Sequence, residues 1–364
     1  MKILTKPFLE NLKSISNVVT DFVFIDTTDE NNYGFYVSTD KQAMKIPLMI
    51  EDIADDEKDV YVINKTEFMH LVSYVKDSVT LKSDYSYVSE DGRIKGKFES
   101  NEGYKEDLES VKVLFDNEDE YEEFMEVTPS IMSAISSGNI FVEPDSIKPS
   151  ERFLDIQHSK VFSYSNYRIY MDDIDVANEG LLSSEVVKSI QSLGIGAIVK
   201  NNNDSFLVTN AQRSIFEYFS TPNDVDFHPL FTDGFQKKLT NAKSFNQIKF
   251  DIEEFKSKLD YISFYASKNP NQMGFINVSG EGVSISTDEN TFAEIPSVEV
   301  VNAEGFENFS FALNCSSLQL IVGKIAKDVE YMTFYVSEKS ENKLVVIQFG
   351  DTEETVILAK LNNA

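Results

Sequence analysis

Residues 308–361 read NFSFALNCSSLQLIVGKIAKDVEYMTFYVSEKSENKLVVIQFGDTEETVILAKL. Leu318, Ile321, Val322 and Ile325 recur at i, i+3, i+4 and i+7, which predicts a helix over 314–327 with one apolar face. Asn314 stands where a side-chain oxygen can accept a free backbone N–H of the first turn. A short strand at 309–313 precedes the helix. Strands at 331–337, 344–349 and 354–361 follow it, rich in Val, Ile, Tyr and Phe and divided by polar turn clusters. Strand, helix, three strands is the unit.

Working outward, the same unit recurs. Helices are predicted at 6–18 (Phe8, Leu12, Ile15), 65–76 (Phe68, Leu71, Val72, Val75), 129–138 (Ile131, Met132, Ile135), 184–194 (Val186, Val187, Ile190, Leu193) and 251–268 (Ile252, Phe255, Leu259, Ile262), each with three strands behind it. Pro7 suits a first helical turn, and Gly194 suits a C-cap in the left-handed conformation. A period of about 60 residues exceeds that of solenoid repeats. One such unit cannot bury both its helix and its sheet, so pairs must share a core. The expectation is an α+β chain of three domains, 1–124, 125–243 and 244–364. The acidic run 116–126 marks the first boundary, and 227–250, with Lys237, Lys238, Lys243 and Lys249, reads as a connecting region.

Composition bounds the function. The chain has 364 residues, 41% hydrophobic and 26% charged, with 33 Lys plus Arg against 61 Asp plus Glu, a net charge of −28. A generally basic surface for gripping nucleic acid is excluded. The acid is either a solvated exterior or an imitation of nucleic acid, as a monomeric decoy that binds host replication proteins would display. One cysteine, Cys315, excludes an intrachain disulfide and a thiolate zinc cluster and fits a reducing compartment. No signal peptide or membrane span is read, so the expectation is a cytoplasmic protein with no membrane contact.

The same residues form no catalytic constellation. No Gly-x4-Gly-Lys-Ser/Thr phosphate loop occurs, and the glycine pairs Gly194/Gly196 and Gly280/Gly282 read as a helix cap and a hairpin turn. His70, His158 and His228 are far apart in sequence. Residues 52–59 lack the glycine and spacing of a calcium loop. The expectation is a protein with no enzymatic activity, no cofactor and no metal.

The six predicted helices carry ten lysines (Lys6, Lys13, Lys65, Lys76, Lys188, Lys256, Lys258, Lys268, Lys324, Lys327) and no arginine, against seven acids (Glu10, Glu67, Glu185, Asp251, Glu253, Glu254, Asp260). Helices thus escape the acidity of the strands and loops. If they face one side together, that side is neutral to basic. Helix propensity alone also favours lysine there.

The length, the six strand–helix–three-strand units and the closing stretch 311–361 resemble the bacterial sliding clamp, the beta subunit of DNA polymerase III. Tyr164-Ser-Asn-Tyr-Arg-Ile-Tyr170 resembles that family's Thr-Asp-Gly-His-Arg-Leu strand. The resemblance implies a DNA-clamp fold in which helices line a ring and sheets form its outer wall. It implies a homodimer around double-stranded DNA, non-catalytic, with the replicative DNA polymerase and the clamp loader as partners. Lys6, Lys13, Lys65, Lys76, Lys188, Lys256, Lys258, Lys324 and Lys327 would then face DNA. A peptide-binding cleft would be walled by Ile147, Tyr164, Asn166, Tyr167, Arg168, Ile169, Pro229, Phe231, Ile357, Ala359 and Leu361. Phe275 and Ile276 would lie at the dimer interface. The chain departs from the family where it carries Asn166 and Tyr167 in place of the Gly-His pair. It departs again at Leu358-Ala-Lys-Leu-Asn-Asn-Ala364, where the family carries Met-Pro-Met-Arg-Leu, which implies an altered peptide preference. Such drift, with the abundance of Asn, Lys, Ile, Ser and Phe, fits a divergent member from an AT-rich genome such as a phage.

Overall fold

The computed structural model describes residues 1–4, 20–30, 32–165, 168–202, 205–211, 213–218, 233–269, 271–279, 282–288, 290–295, 297–301, 308–325, 329–337 and 343–361. They form two compact units, Met1–Met132 with Glu185–Thr221 and Ser133–Ser184 with Pro222–Ala364. The described helices are α1 (Lys65–Tyr74), α2 (Asp107–Asp116), α3 (Pro129–Asn139), α4 (Ser184–Leu193), α5 (Asp233–Ala242), α6 (Ile252–Ala266) and α7 (Cys315–Lys324). Five of these are helices that the apolar spacing predicts. The predicted helix at 6–18 lies outside the described residues, together with Lys6 and Lys13.

The first unit holds an eight-stranded antiparallel sheet and a five-stranded one. The larger runs β10 (Glu122–Glu126), β15 (Ile198–Asn201), β16 (Ser205–Asn210), β17 (Arg213–Tyr218), β4 (Gln42–Pro47), β3 (Gly34–Ser38), β2 (Phe22–Asp26), β6 (Val60–Asn64). The smaller runs β5 (Ile50–Glu51), β1 (Lys2–Leu4), β7 (Ser78–Leu81), β8 (Ser86–Ser89), β9 (Lys95–Lys97). The second unit repeats the arrangement. Its nine-stranded sheet runs β14 (Gly180–Ser183), β11 (Phe153–Gln157), β12 (Lys160–Ser165), β13 (Arg168–Asp173), β26 (Thr355–Ala359), β25 (Leu344–Phe349), β24 (Tyr331–Val336), β18 (Asn246–Asp251), β22 (Ser297–Val301). Its four-stranded sheet runs β21 (Phe292–Ile295), β20 (Gly282–Ser286), β19 (Met273–Ser279), β23 (Phe309–Asn314).

Two rules generate this order. First, consecutive repeats exchange their leading strands: β1 pairs with β7 and β6 with β2, β10 with β15 and β14 with β11, β18 with β24 and β23 with β19. Second, where two repeats join in one sheet, third strand meets third strand. β4 pairs with β17 (Lys45 opposite Ser214), and β13 pairs with β26 (Ile169 opposite Ile357). The junction from leading strand to helix is itself repeated. Asn64, Asp251 and Asn314 accept the backbone N–H of Glu67, Glu254 and Ser317 at 3.2, 2.9 and 2.8 Å. Each such cap contributes about 1 kcal/mol. Gly194 ends α4 at φ +85°, as its position in sequence predicts.

Each large sheet is covered on both faces. In the first unit, Phe68 of α1 stacks on Phe35 at 5.3 Å, and Ser189 of α4 accepts from Gln42. Tyr36 and Ala43, the alternate residues, face the other way and pack with Leu108, Val111 and Phe115 of α2. In the second unit, Phe255 of α6 meets Phe250 and Phe334 at 5.0 and 5.6 Å. On the same face Gly138 of α3 lies so close to Leu154 and Tyr170 that a Cβ there would fall 2.5 Å from Leu154. The opposite face carries α5, whose Leu239 and Ala242 pack with Phe162, Ile169, Val346 and Ile357. The helices predicted from sequence therefore share one face of each unit. The two unpredicted helices, α2 and α5, take the other.

The acidic run 116–126, read from sequence as a boundary, ends in β10, where Phe124 and Met125 are buried while Glu122, Glu123 and Glu126 stay exposed. The stretch 227–250 likewise holds α5 and β18.

At the β13–β26 junction the Tyr170 hydroxyl donates to Glu354 Oε1 at 2.9 Å and lies 3.4 Å from Asp172 Oδ2. Desolvation pushes the Glu354 carboxyl up to about 7, with the Asp172 charge adding to the rise, and pushes Asp172 itself to about 6. The folded state holds these protons more tightly than the unfolded chain. The stability they contribute is full below the ordinary carboxylate range and is lost as pH rises through their folded values. The unfolding midpoint should therefore fall between about pH 5 and about pH 8. Glu354→Gln keeps an acceptor for Tyr170 without a charge to desolvate. Thermal melts should show this variant raising the midpoint at about pH 8 and flattening the dependence.

Candidate functional site

Three surfaces carry the candidate residues. The first is a face found in each unit separately, bearing α1 and α4 in one and α6 in the other. Lys188 and Lys324 are exposed on α4 and α7, and Lys256 and Lys258 are half-buried on α6. Lys65 is half-buried at the start of α1, where desolvation lowers its pKa, and Lys76 is exposed just beyond that helix. Lys327 lies outside the described residues. Within the observed bounds of α1, α3, α4, α6 and α7 there are five lysines (Lys65, Lys188, Lys256, Lys258, Lys324) and five acids (Glu67, Glu185, Glu253, Glu254, Asp260). Within these described bounds the basic excess expected from sequence becomes a balance of charge. The reason is that α1 and α6 end before Lys76 and Lys268, and that Lys6, Lys13 and Lys327 are not among the described residues. Against a chain of net charge −28 a balanced set of helices is still distinct.

The second surface is the β13–β26 junction on the side of α5. Antiparallel register sets Tyr164, Ile169, Ile357, Val346 and Tyr335 in one row across five strands. Ile357 is 1% exposed and Ile169 8%, and both lie under Leu239 and Ala242. Tyr164 is half-buried at the rim of this cluster with Met171, Phe245, Tyr335 and Leu344. Arg168 pairs with Glu143 at 3.0 Å, donates to Ser165 Oγ at 3.1 Å and sits over the Phe141 ring. The remaining residues expected of the cleft are not brought into the row. Ile147 stands 91% exposed, and Ala359 is half-buried at the end of β26. Leu361 leaves that sheet to bridge Ala312 of β23. Asn166, Tyr167, Pro229 and Phe231 lie outside the described residues. Sequence reasoning missed Phe162, Val346, Leu239 and Ala242. The signal for α5 was available in Leu239-x-x-Ala242, but it is short and set among lysines.

The third surface is a pair of sheet edges. β9 pairs only with β8, and β21 only with β20, among the described residues. These are the third strands of their repeats, the positions that meet another third strand in both large sheets. The β9 edge is basic, with Arg93, Lys95 and Lys97 exposed, whereas the β21 edge bears exposed Asp288 and Glu294. Beside β21, α6 exposes Tyr261 (52%) and Phe264 (65%), with the Lys268 ammonium 4.9 Å from the Phe264 ring centre. These aromatics fall off the Ile252, Phe255, Leu259, Ile262 stripe, which is the sequence signal for an apolar patch facing solvent. By contrast, Ile276 is fully buried on the inner strand β19, and Phe275 beside it is half-buried. Ile276 is a core residue with no surface to offer a partner.

Cys315, at the start of α7, is buried, and desolvation pushes its thiol up to about 11. His70 is exposed on α1 against Tyr74. No helix among the described residues is long and apolar enough to cross a membrane.

No protein-family model matches the chain, and no curated protein sequence does. Solved structures do. A DNA polymerase sliding clamp from Pseudomonas aeruginosa superposes with a TM-score of 0.77 at 11% identity, covering 100% of this chain and 99% of the other. The sliding clamp from Bacillus subtilis gives 0.76 at 10% identity, again over 100% and 99%. The DNA polymerase III beta subunit from Thermotoga maritima gives 0.73 at 13%, over 100% of both chains. The chain has the sliding-clamp fold along its whole length.

Lys188 and Lys324 are exposed on helices whose other faces form the core. Lys188→Glu and Lys324→Glu should each change the unfolding free energy by less than about 0.5 kcal/mol in urea titrations. A larger loss would mean that these side chains hold the fold.

Proposed function

We propose that this chain is a sliding clamp of DNA replication. Two copies close head to tail into a ring around duplex DNA and tether the replicative polymerase, after a clamp loader has opened the ring. The observation that carries this reading is the pair of unfilled third-strand edges. Four of the six repeats find a third-strand partner among the described residues. The repeats ending in β9 and β21 find none there, and β9 of one copy would pair antiparallel with β21 of the next. Opposite charge on the two edges favours head-to-tail over like-to-like association. Tyr261 and Phe264 would be covered in the same contact. The reading divides the chain into three domains, 1–124, 125–243 and 244–364, and the exchange of leading strands within successive pairs of repeats supports that division.

In this reading the helical layer lines the hole. Lys65, Lys76, Lys188, Lys256, Lys258 and Lys324 meet phosphates loosely or through water, which holds the duplex without reading its sequence or fixing its position. Retention comes from closure, so weak contacts are what sliding requires. The acidic remainder of the surface repels DNA from the wrong side. The row from Tyr164 to Tyr335 receives short peptides from the polymerase and other replication or repair proteins. No bond is made or broken by the protein.

Light scattering across a dilution series should give a mass near twice 41.3 kDa, and the protein should be retained on circular DNA and lost when the circle is cut. Lys95→Glu with Lys97→Glu should shift the mass to the monomer, and adding Glu294→Lys should restore part of the dimer. A monomer at every concentration, or equal retention on cut and closed DNA, would overturn the ring. Lys188→Glu with Lys324→Glu should weaken retention at unchanged mass.

A further inference from the structure

Both large sheets are crossed by the same row of paired residues. From the seam pair Lys45 and Ser214 the ladder runs through Tyr36 and Phe24 to Val62 on one side. On the other it runs through Thr209 and Ile198 to Glu126. Val62 stands two residues before the capping Asn64, and Glu126 two before Thr128, whose hydroxyl accepts the Ile131 N–H at 3.3 Å. From the seam pair Met171 and Thr355 the ladder runs through Phe162 and Asp155 to Leu181, two residues before β14 ends. On its other side it runs through Gln348 and Thr333 to Lys249, two residues before the capping Asp251. The two seams share one register, set by distance from the helix starts.

The two open edges carry matching half-rows. From Phe292 on β21 the ladder runs through Ser286 and Phe275 to Ala312, two residues before the capping Asn314. From Lys95 on β9 it runs through Val88 and Thr80 to Lys2, two residues before β1 ends. We propose that ring closure repeats the internal register, with Lys95 of one copy opposite Phe292 of the next, Arg93 opposite Glu294 and Lys97 opposite Asn290. This register rests on the clamp reading and names the residues that make closure specific.

The side chains match across it. Arg93 is 85% exposed, with Asp91 at 3.7 Å as an exposed ion-pair partner, and Glu294 is exposed as well. Opposite charges directly facing in an antiparallel pair stabilise it. Phe292, 57% exposed, receives the methylene stem and ammonium of Lys95. The chain already makes such a contact where the Lys249 ammonium lies 3.5 Å from the Tyr331 ring centre. On the other face of the strands, half-buried Ile94 meets half-buried Ala293. Other registers are worse. A slip of one residue puts Lys95 and Phe292 on opposite faces. A slip of two sets Glu294 against Asp91 in one direction, and in the other carries Arg93 past the end of β21 at Ile295.

The test is oxidative cross-linking of the full-length chain, whose native Cys315 is buried. Arg93→Cys with Glu294→Cys, and Lys97→Cys with Asn290→Cys, should each give a covalent dimer, because facing residues bring their Cβ atoms to about 5 Å. The crossed pairs, Arg93→Cys with Asn290→Cys and Lys97→Cys with Glu294→Cys, lie about 13 Å apart along the strands and should stay unlinked. A charge swap reads the same register without thiols. Arg93→Glu and Glu294→Arg should each weaken dimerisation about tenfold or more across a dilution series, and the double variant should recover to within about threefold of wild type. If wild type is a dimer, linkage of a crossed pair, or a swap no better than the worse single change, overturns the register and leaves the ring. A wild type that stays monomeric overturns the clamp reading and the register with it.

Discussion

An antiparallel junction between two third strands joins the halves of each large sheet, β4 to β17 in one unit and β13 to β26 in the other. Both faces of each junction are buried, one beneath the predicted helices and one beneath α2 or α5. A slip of one residue would turn every side chain of a strand to the wrong layer, so the register is specified from both sides. In β26, Thr355, Val356, Ile357 and Leu358 are all buried, and the strand has no solvent face to tolerate error. The leading-strand exchange follows from the same need. A helix with three strands leaves one sheet edge open, and the neighbouring repeat fills it.

Much of this was legible in the sequence, because the repeats announce themselves by period. The stripe Leu318, Ile321, Val322 and Ile325 is buried as the spacing predicts, and Asn314 caps its helix. What stayed hidden was of two kinds. Strands embedded in charge, such as Phe124 and Met125 between glutamates, give too few apolar residues in a row to register as alternation. Short helices such as α5, with Leu239 and Ala242 among lysines, show a stripe of one or two turns, below what periodicity can separate from loop. Pairing between repeats also lies beyond local pattern, since Lys45 and Ser214 become neighbours only through topology. The carried-over interface pair Phe275 and Ile276 shows the hazard of position without structure: alternation in β19 turns Ile276 into its own core.

Charge is arranged by layer more than by residue type. Within their described bounds the predicted helices balance lysine and acid, whereas α2, on the other face of its own sheet, is acidic (Asp107, Glu109 and Asp116 against Lys112). The −28 total therefore says little about any one surface. At the β13–β26 junction, buried Tyr170 and half-buried Asp172 and Glu354 form a polar contact that stabilises the fold best when the carboxyls are protonated, so ionisation at this seam costs stability as pH rises.

The topology also dictates an order of events at the ribosome. Lys45 must wait for Ser214, about 170 residues later, before β4 gains its partner, a delay on the order of ten seconds at ordinary rates of synthesis. During that interval β2, β3 and β4 can form a hairpin sheet with one naked edge, the kind of edge that recruits strands from other nascent chains. Gln42 and Lys45 place polar side chains on that edge strand, which opposes such recruitment while the strand is unpaired.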